Sequence, residues 1–186
     1  LTPALKEQLL ALEEIRDFTA YSMISAEVAL PSKPDAFAIN VLDRDTFSRL
    51  LPPEAMEEGT SDYDRLTAEN GVVITDNTEQ FLKLYWDYVP GIGDTLELKT
   101  YGGEDLTVTV MGIAKKDALL PTGIGATMFT VTEDMARKLY PDIENMENRW
   151  NIRTAEDHDD LRNTLFSILQ DPMLVITTRQ DAADAY

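Results

Sequence analysis

The sequence predicts an α+β fold: a split β-α-β layer of ferredoxin-like order, an inserted β-rich lobe, and helices at both termini. Three observations carry this. The last third repeats one rhythm, with strand-forming runs at 127–131, 149–153 and 173–177 separated by helical patterns. An early strand and helix at 36–51 match that rhythm. Between them, 71–122 holds a short strand, a helix and an alternating hairpin. The expected organisation is one domain over 1–186, with an α+β lobe from 20–55 plus 126–178 and a β-rich lobe at 71–122.

Taken in order, Thr2 can cap a first helix, with Pro3 in the first turn where a missing N–H costs little. Leu5, Leu9, Leu12 and then Ile15 form its narrow apolar stripe. The stretch 19–30 is small and β-tolerant, and Pro31, Ser32 and Pro34 break it. Phe37, Ile39 and Val41 alternate along a buried strand, after which Asp43 caps a helix reaching Leu51. Acidic 54–70 reads as a surface connection with one helical turn near Tyr63 to Leu66.

Val72 to Thr75 form a β-rich run, and Asp76 with Glu79 fits a capping box for the next helix. That helix carries Phe81, Leu82, Tyr85, Trp86 and Val89 as a core stripe, which leaves Tyr88 as the exposed ring. Pro90 and Gly91 end it. Leu96 and Leu98, then Leu106, Val108 and Val110, alternate as a hairpin turning at Gly102-Gly103. Thr132 caps a helix holding Met135, Leu139 and Tyr140. Thr154 caps another, with Asp157 at the capping-box position and Leu161, Leu165, Ile168 and Leu169 inward.

The ordered series Val72-Val73-Ile74-Thr75, Gly93-Asp94-Thr95-Leu96-Glu97-Leu98 and Val108-Thr109-Val110-Met111-Gly112-Ile113 resembles the extracytoplasmic core domain of MacB/FtsX-type ABC transporter permeases. The resemblance implies a non-enzymatic domain on the extracytoplasmic side of a cell membrane. It implies as partners the permease's own transmembrane helices, a separate cytoplasmic ATPase subunit and a permease dimer. The first helix would then extend the first membrane span, and 178–186 would begin the helix leading to the second. An ordinary amphipathic helix packed on its own domain explains the first segment equally well. The resemblance also implies that Leu1 and Tyr186 emerge side by side on a common face.

Thirty-four acidic residues stand against 16 basic ones, a formal net charge of −18. Such a surface suits neither nucleic acid nor an anionic membrane, since both need clustered Lys and Arg. Zero cysteines exclude disulfides, thiolate metal sites and cysteine nucleophiles. No Gly-x-Ser-x-Gly elbow or Walker loop is present, and a serine triad would depend on the single His158. Gly91-Ile92-Gly93 and Gly123-Ile124-Gly125 lack the third glycine of a dinucleotide fingerprint. The cluster Glu156-Asp157-His158-Asp159-Asp160 is explained by the preference for acids in a first helical turn. The sequence therefore offers no catalytic residue, cofactor or metal ligand.

What it offers is a contact surface. Leu119, Leu120 and Ile124, in a loop punctuated by Pro121, Gly123 and Gly125, are either buried anchors or a patch for a partner subunit. Tyr88 joins them as an exposed ring. Tyr85 and Trp86 read as core, with a sugar or peptide groove as the alternative. An acidic ligand- or partner-binding module without transport is the other functional reading.

Overall fold

The computed structural model describes residues 3–99, 105–116, 118–119, 129–143, 148–154, 159–170 and 175–176. The chain divides into two compact units, Thr19–Asn151 and the pair Leu1–Phe18 with Ile152–Tyr186.

Strand β1 (Ile15–Ala29) begins inside the leucine stripe that suggests a longer first helix, and continues through the β-tolerant stretch. From Ser22 to Ala29 it pairs antiparallel with β2 (Pro34–Leu42), and at Glu27–Ala29 also with β5 (Thr95–Lys99). β2 runs parallel to β7 (Phe129–Thr132), and β7 meets β4 (Gly71–Thr75) at Val73 and Thr130. β4 runs parallel to β6 (Leu106–Ala114), which pairs antiparallel with β5. The pairings close into a ring, β1-β2-β7-β4-β6-β5. Closure leaves none of these six strands as the terminal edge of an open sheet. The strands of 71–122 thus share one ring with those of 20–55 and 126–132.

One core draws on every strand of the ring, with Ile24, Ile39, Phe129, Ile74, Val108 and Leu98 all buried in it. Leu82 of α4 (Asp76–Trp86) and Met135 and Leu139 of α5 (Glu133–Leu139) complete this core. A second core takes the opposite parity of the strands. It gathers Leu42, Val73 and Met111 with Phe47 and Leu50 of α2 (Arg44–Leu50) and Tyr63 and Leu66 of α3 (Tyr63–Ala68). Alternation along β4 shows the division: Val72 and Ile74 enter the first core, Val73 the second.

A bulge in β6 keeps both cores supplied. Val72 and Val73 of β4 face Val110 and Gly112, so Met111 is one residue extra. Val108 and Val110 therefore share the first core with Ile113, three residues beyond Val110, while Met111 and Ala114 enter the second. Past the bulge, β3 (Met56–Gly59) pairs with β6, and the Thr60 N–H donates to the Met111 carbonyl at 2.8 Å. The acidic stretch 54–70 is thus more than a surface connection. It contributes this strand and α3, whose Tyr63 and Leu66 are buried. Gly59 adopts a φ of +78°, and a Cβ there would lie 2.1 Å from the Met111 oxygen, so only glycine fits.

Most helix starts follow local chemistry. Asp43 caps α2 by accepting from the Thr46 N–H at 2.7 Å, and Thr132 caps α5 by accepting from the Met135 N–H at 3.2 Å. The start of α4 differs from expectation. Its cap is Thr75, which accepts from the Thr78 N–H at 3.3 Å while the Thr78 hydroxyl accepts from the Thr75 N–H. Asp76 is already helical. Strand β4 runs straight into the cap, so the boundary falls one residue earlier than the acidic pair suggests.

In the other unit, α1 (Pro3–Leu10) packs against α6 (Asp159–Leu169), with Leu9, Leu161 and Leu165 buried. The Arg162 guanidinium donates to the Ile176 carbonyl at 3.2 Å. β8 (Asn148–Thr154) precedes α6, as the sequence predicts. Of the expected strand at 173–177, Val175 and Ile176 are described and carry no strand pairing. The Gly102-Gly103 turn, the Asp157 position, His158, Leu1 and Tyr186 lie outside the described residues.

Candidate functional site

Of the expected contact residues, Leu119 is 1% exposed and sits in the second core with Leu51 and Leu66. It is an anchor rather than a surface residue. Leu120 and Ile124 lie outside the described residues.

Tyr88 departs from expectation because the helix before it stops early. Asp87 takes a left-handed conformation with φ of 50°, and its N–H donates to the Lys83 carbonyl at 3.2 Å. The break changes the direction of everything after Trp86. Tyr85, inside α4 and before the break, stands exposed because the helix turns Leu82 into the core instead; Tyr88, after the break, packs half-buried against the first core. Val89, also after the break, is exposed.

The Tyr88 hydroxyl donates to Asp94 Oδ2 at 3.1 Å, and the Gly91 N–H donates to the same oxygen at 2.9 Å. Backbone bonds complete the lock, from the Val110 N–H to the Asp94 carbonyl and from the Gly93 N–H to the Val110 carbonyl, both 2.8 Å. Burial, then the hydrogen bond and charge of Asp94, push the Tyr88 hydroxyl up to about 12. The Gly93-Asp94 pair of the recognised series is therefore a structural turn that fixes the chain between α4 and β5.

Two shallow clefts flank Gly59 and Thr60. One, about 330 Å³, is lined by Ser48, Pro53, Met56 and Asp62; the other, about 400 Å³, by Arg65, Glu69, Ile92 and Thr109. In the second, the charged pair is already matched, since Arg65 Nε donates to Glu69 Oε1 at 3.0 Å. Among the described residues, no group of three or more His, Asp or Glu side chains can hold a metal ion. The acids near β3 interact by repulsion. The charge of the Asp76 carboxylate, followed by slight desolvation and a hydrogen bond with Asp76, holds the exposed Glu57 carboxyl above its ordinary range, and Lys115 opposes this.

The outstanding surface feature is apolar, and it lies on α4. Leu84 is 74% exposed and Tyr85 62%. Their support runs inward through rings: Tyr85 to Phe81 at 4.8 Å, Phe81 to Trp86 at 5.4 Å, Trp86 to Phe37 at 5.2 Å and Phe37 to Phe129 at 5.7 Å. Lys33 lies 5.9 Å over the Trp86 ring and pairs with Asp35 at 3.5 Å. Sequence reasoning missed this surface because it assigned Tyr85 to the core. The signal available was Leu84, which falls off the helical stripe.

No protein-family model and no curated protein sequence matches the chain. Solved structures do. The extracellular domain of the noncanonic ABC-type transporter YknZ from Gram-positive bacteria superposes with a TM-score of 0.50 at 12% identity, over 88% of this chain and 78% of that one. The periplasmic region of MacB from Actinobacillus actinomycetemcomitans gives 0.51 at 10% identity, over 100% of this chain and 82% of that one. At such identities the likeness is one of fold. Among the described residues no helix is long and apolar enough to cross a membrane. The chain has the α+β fold of the extracytoplasmic domains of MacB- and YknZ-type ABC transporters.

Proposed function

We propose that this chain is a single extracytoplasmic domain of an ABC transporter permease, and that it transmits motion instead of making or breaking bonds. The transmembrane helices of the permease enter and leave through its two chain ends. A separate cytoplasmic subunit hydrolyses ATP, two permeases work as a dimer, and the domain passes their movement to a substrate or partner outside the membrane.

The observation that carries this reading is the structural likeness to the MacB periplasmic region over the whole chain. The smaller compact unit supports it: the first and last segments of the chain belong to that unit, where α1 packs on α6. A domain built between two membrane spans needs its ends together. The test is the coding sequence on either side. An apolar span of about 20 residues before Leu1 and another after Tyr186 is expected. Absence of either removes the transport role.

A further inference from the structure

We propose that the exposed face of α4, built from Leu84 and Tyr85 over Phe81 and Trp86, is a docking surface for a partner protein's amphipathic helix with basic flanks. The proposal rests on the reading of this chain as an extracytoplasmic domain with an external partner, and gives that partner a place and a chemistry.

The apolar part is a continuous surface. Leu84 and Phe81 are neighbours one helical turn apart, and Tyr85 and Trp86 touch the Phe81 ring. Its backing is rigid, since the same rings continue through Phe37 to Phe129 of the buried core. Exposed Tyr and half-buried Trp on rigid support are the residue types that anchor protein interfaces. An amphipathic helix laying its apolar stripe on such a surface is a recurrent mode of recognition.

Charge selects among occupants. Along the sequence, 76–94 carries the acids Asp76, Glu79, Asp87 and Asp94 against Lys83 alone, with Asp76 facing Glu57 and Asp94 bonded into the Tyr88 turn. Lys33, over the Trp86 ring, pairs with Asp35 at 3.5 Å. A second copy would bring this segment and a formal −18 against their own likeness. An anionic bilayer meets the same repulsion. A helix with Lys or Arg beside its apolar stripe meets attraction instead.

The test uses ¹⁵N-labelled protein titrated with a synthetic Leu/Lys amphipathic helical peptide and, separately, with its Leu/Glu counterpart. Saturable shifts centred on the amides of 80–87 and the Trp86 indole N–H are expected with the Leu/Lys peptide only, weakening as salt rises. The exposed-site double variant Leu84→Ser, Tyr85→Ser should keep the native spectrum and bind at least about tenfold more weakly. Equal binding of both peptides, shifts centred elsewhere, or an indifferent double variant would overturn the proposal. So would concentration-dependent shifts at 80–87 without peptide, which would assign the face to a second copy. Binding at this face by a protein whose gene lacks flanking spans would keep the surface and remove the transport role. Spans without binding would do the reverse.

Discussion

The Tyr88 hydroxyl donates to Asp94 Oδ2 at 3.1 Å, joining the residues just after α4 to the turn that opens β5. Tyr88→Phe removes that one bond while keeping the ring on the core, and should lower stability by about 1 kcal/mol in chemical denaturation. Asp94→Ala should cost more, because the Gly91 N–H loses its acceptor as well.

The same pair sets a pH dependence. Tyr88 holds its proton more tightly folded, at about 12, than in the unfolded chain, where tyrosine titrates near 10. Its contribution to stability is complete below about pH 10 and is lost as pH rises toward 12. Ultraviolet titration should show Tyr88 ionising late, at about 12, with Tyr63 also raised above the ordinary tyrosine value by its burial. Asp94→Asn keeps an acceptor, removes the charge, and should bring the Tyr88 ionisation to lower pH.

The phase of α4 is testable by neighbours. Leu82 is fully buried and Leu84 largely exposed. Leu82→Ala should cost roughly 2–5 kcal/mol, and Leu84→Ala should stay within about 0.5 kcal/mol. Comparable losses at both sites would mean the helix face is misassigned.

The cap of α4 separates two sequence explanations. Thr75→Ala should destabilise by about 1 kcal/mol, and Glu79→Ala should leave thermal unfolding nearly unchanged. A capping box of Asp76 and Glu79 requires a measurable loss at Glu79.

Elements with local signals were legible. The β5–β6 hairpin shows itself by alternation, with Leu96 opposite Val108 and Leu98 opposite Leu106 as the pattern demands. α2 and α5 announce themselves by Asp43 and Thr132. What could not be read depends on distant partners. β3, sequence MEEG, has no strand composition, and pairing with β6 beyond the Met111 bulge makes it one. The ring closes through the contact of β1 with both β2 and β5, which no local pattern encodes. After α4 a single left-handed residue, Asp87, turns Tyr88 back onto the core, and non-glycine residues adopt that conformation too rarely to be expected from sequence. The loop of Leu119 looked like a tip because proline and glycine surround it, whereas Leu119 fills the second core.

The two glycines beside the clefts and the α4 turn give a contrasting pair. Gly59→Ala forces a Cβ against the Met111 oxygen in a left-handed backbone and should cost at least about 1–3 kcal/mol. At Gly91 a Cβ meets nothing within 4 Å, so Gly91→Ala should be neutral or slightly stabilising.

The most direct measurement of the central claim uses the absence of cysteine from this chain. Ser48→Cys, at an exposed position of α2, is introduced into the full-length protein in its native cells, which are treated with a membrane-impermeant maleimide before and after lysis. An extracytoplasmic domain predicts labelling of the variant in intact cells, above the level of the unsubstituted protein. Labelling that appears only after lysis would contradict the account.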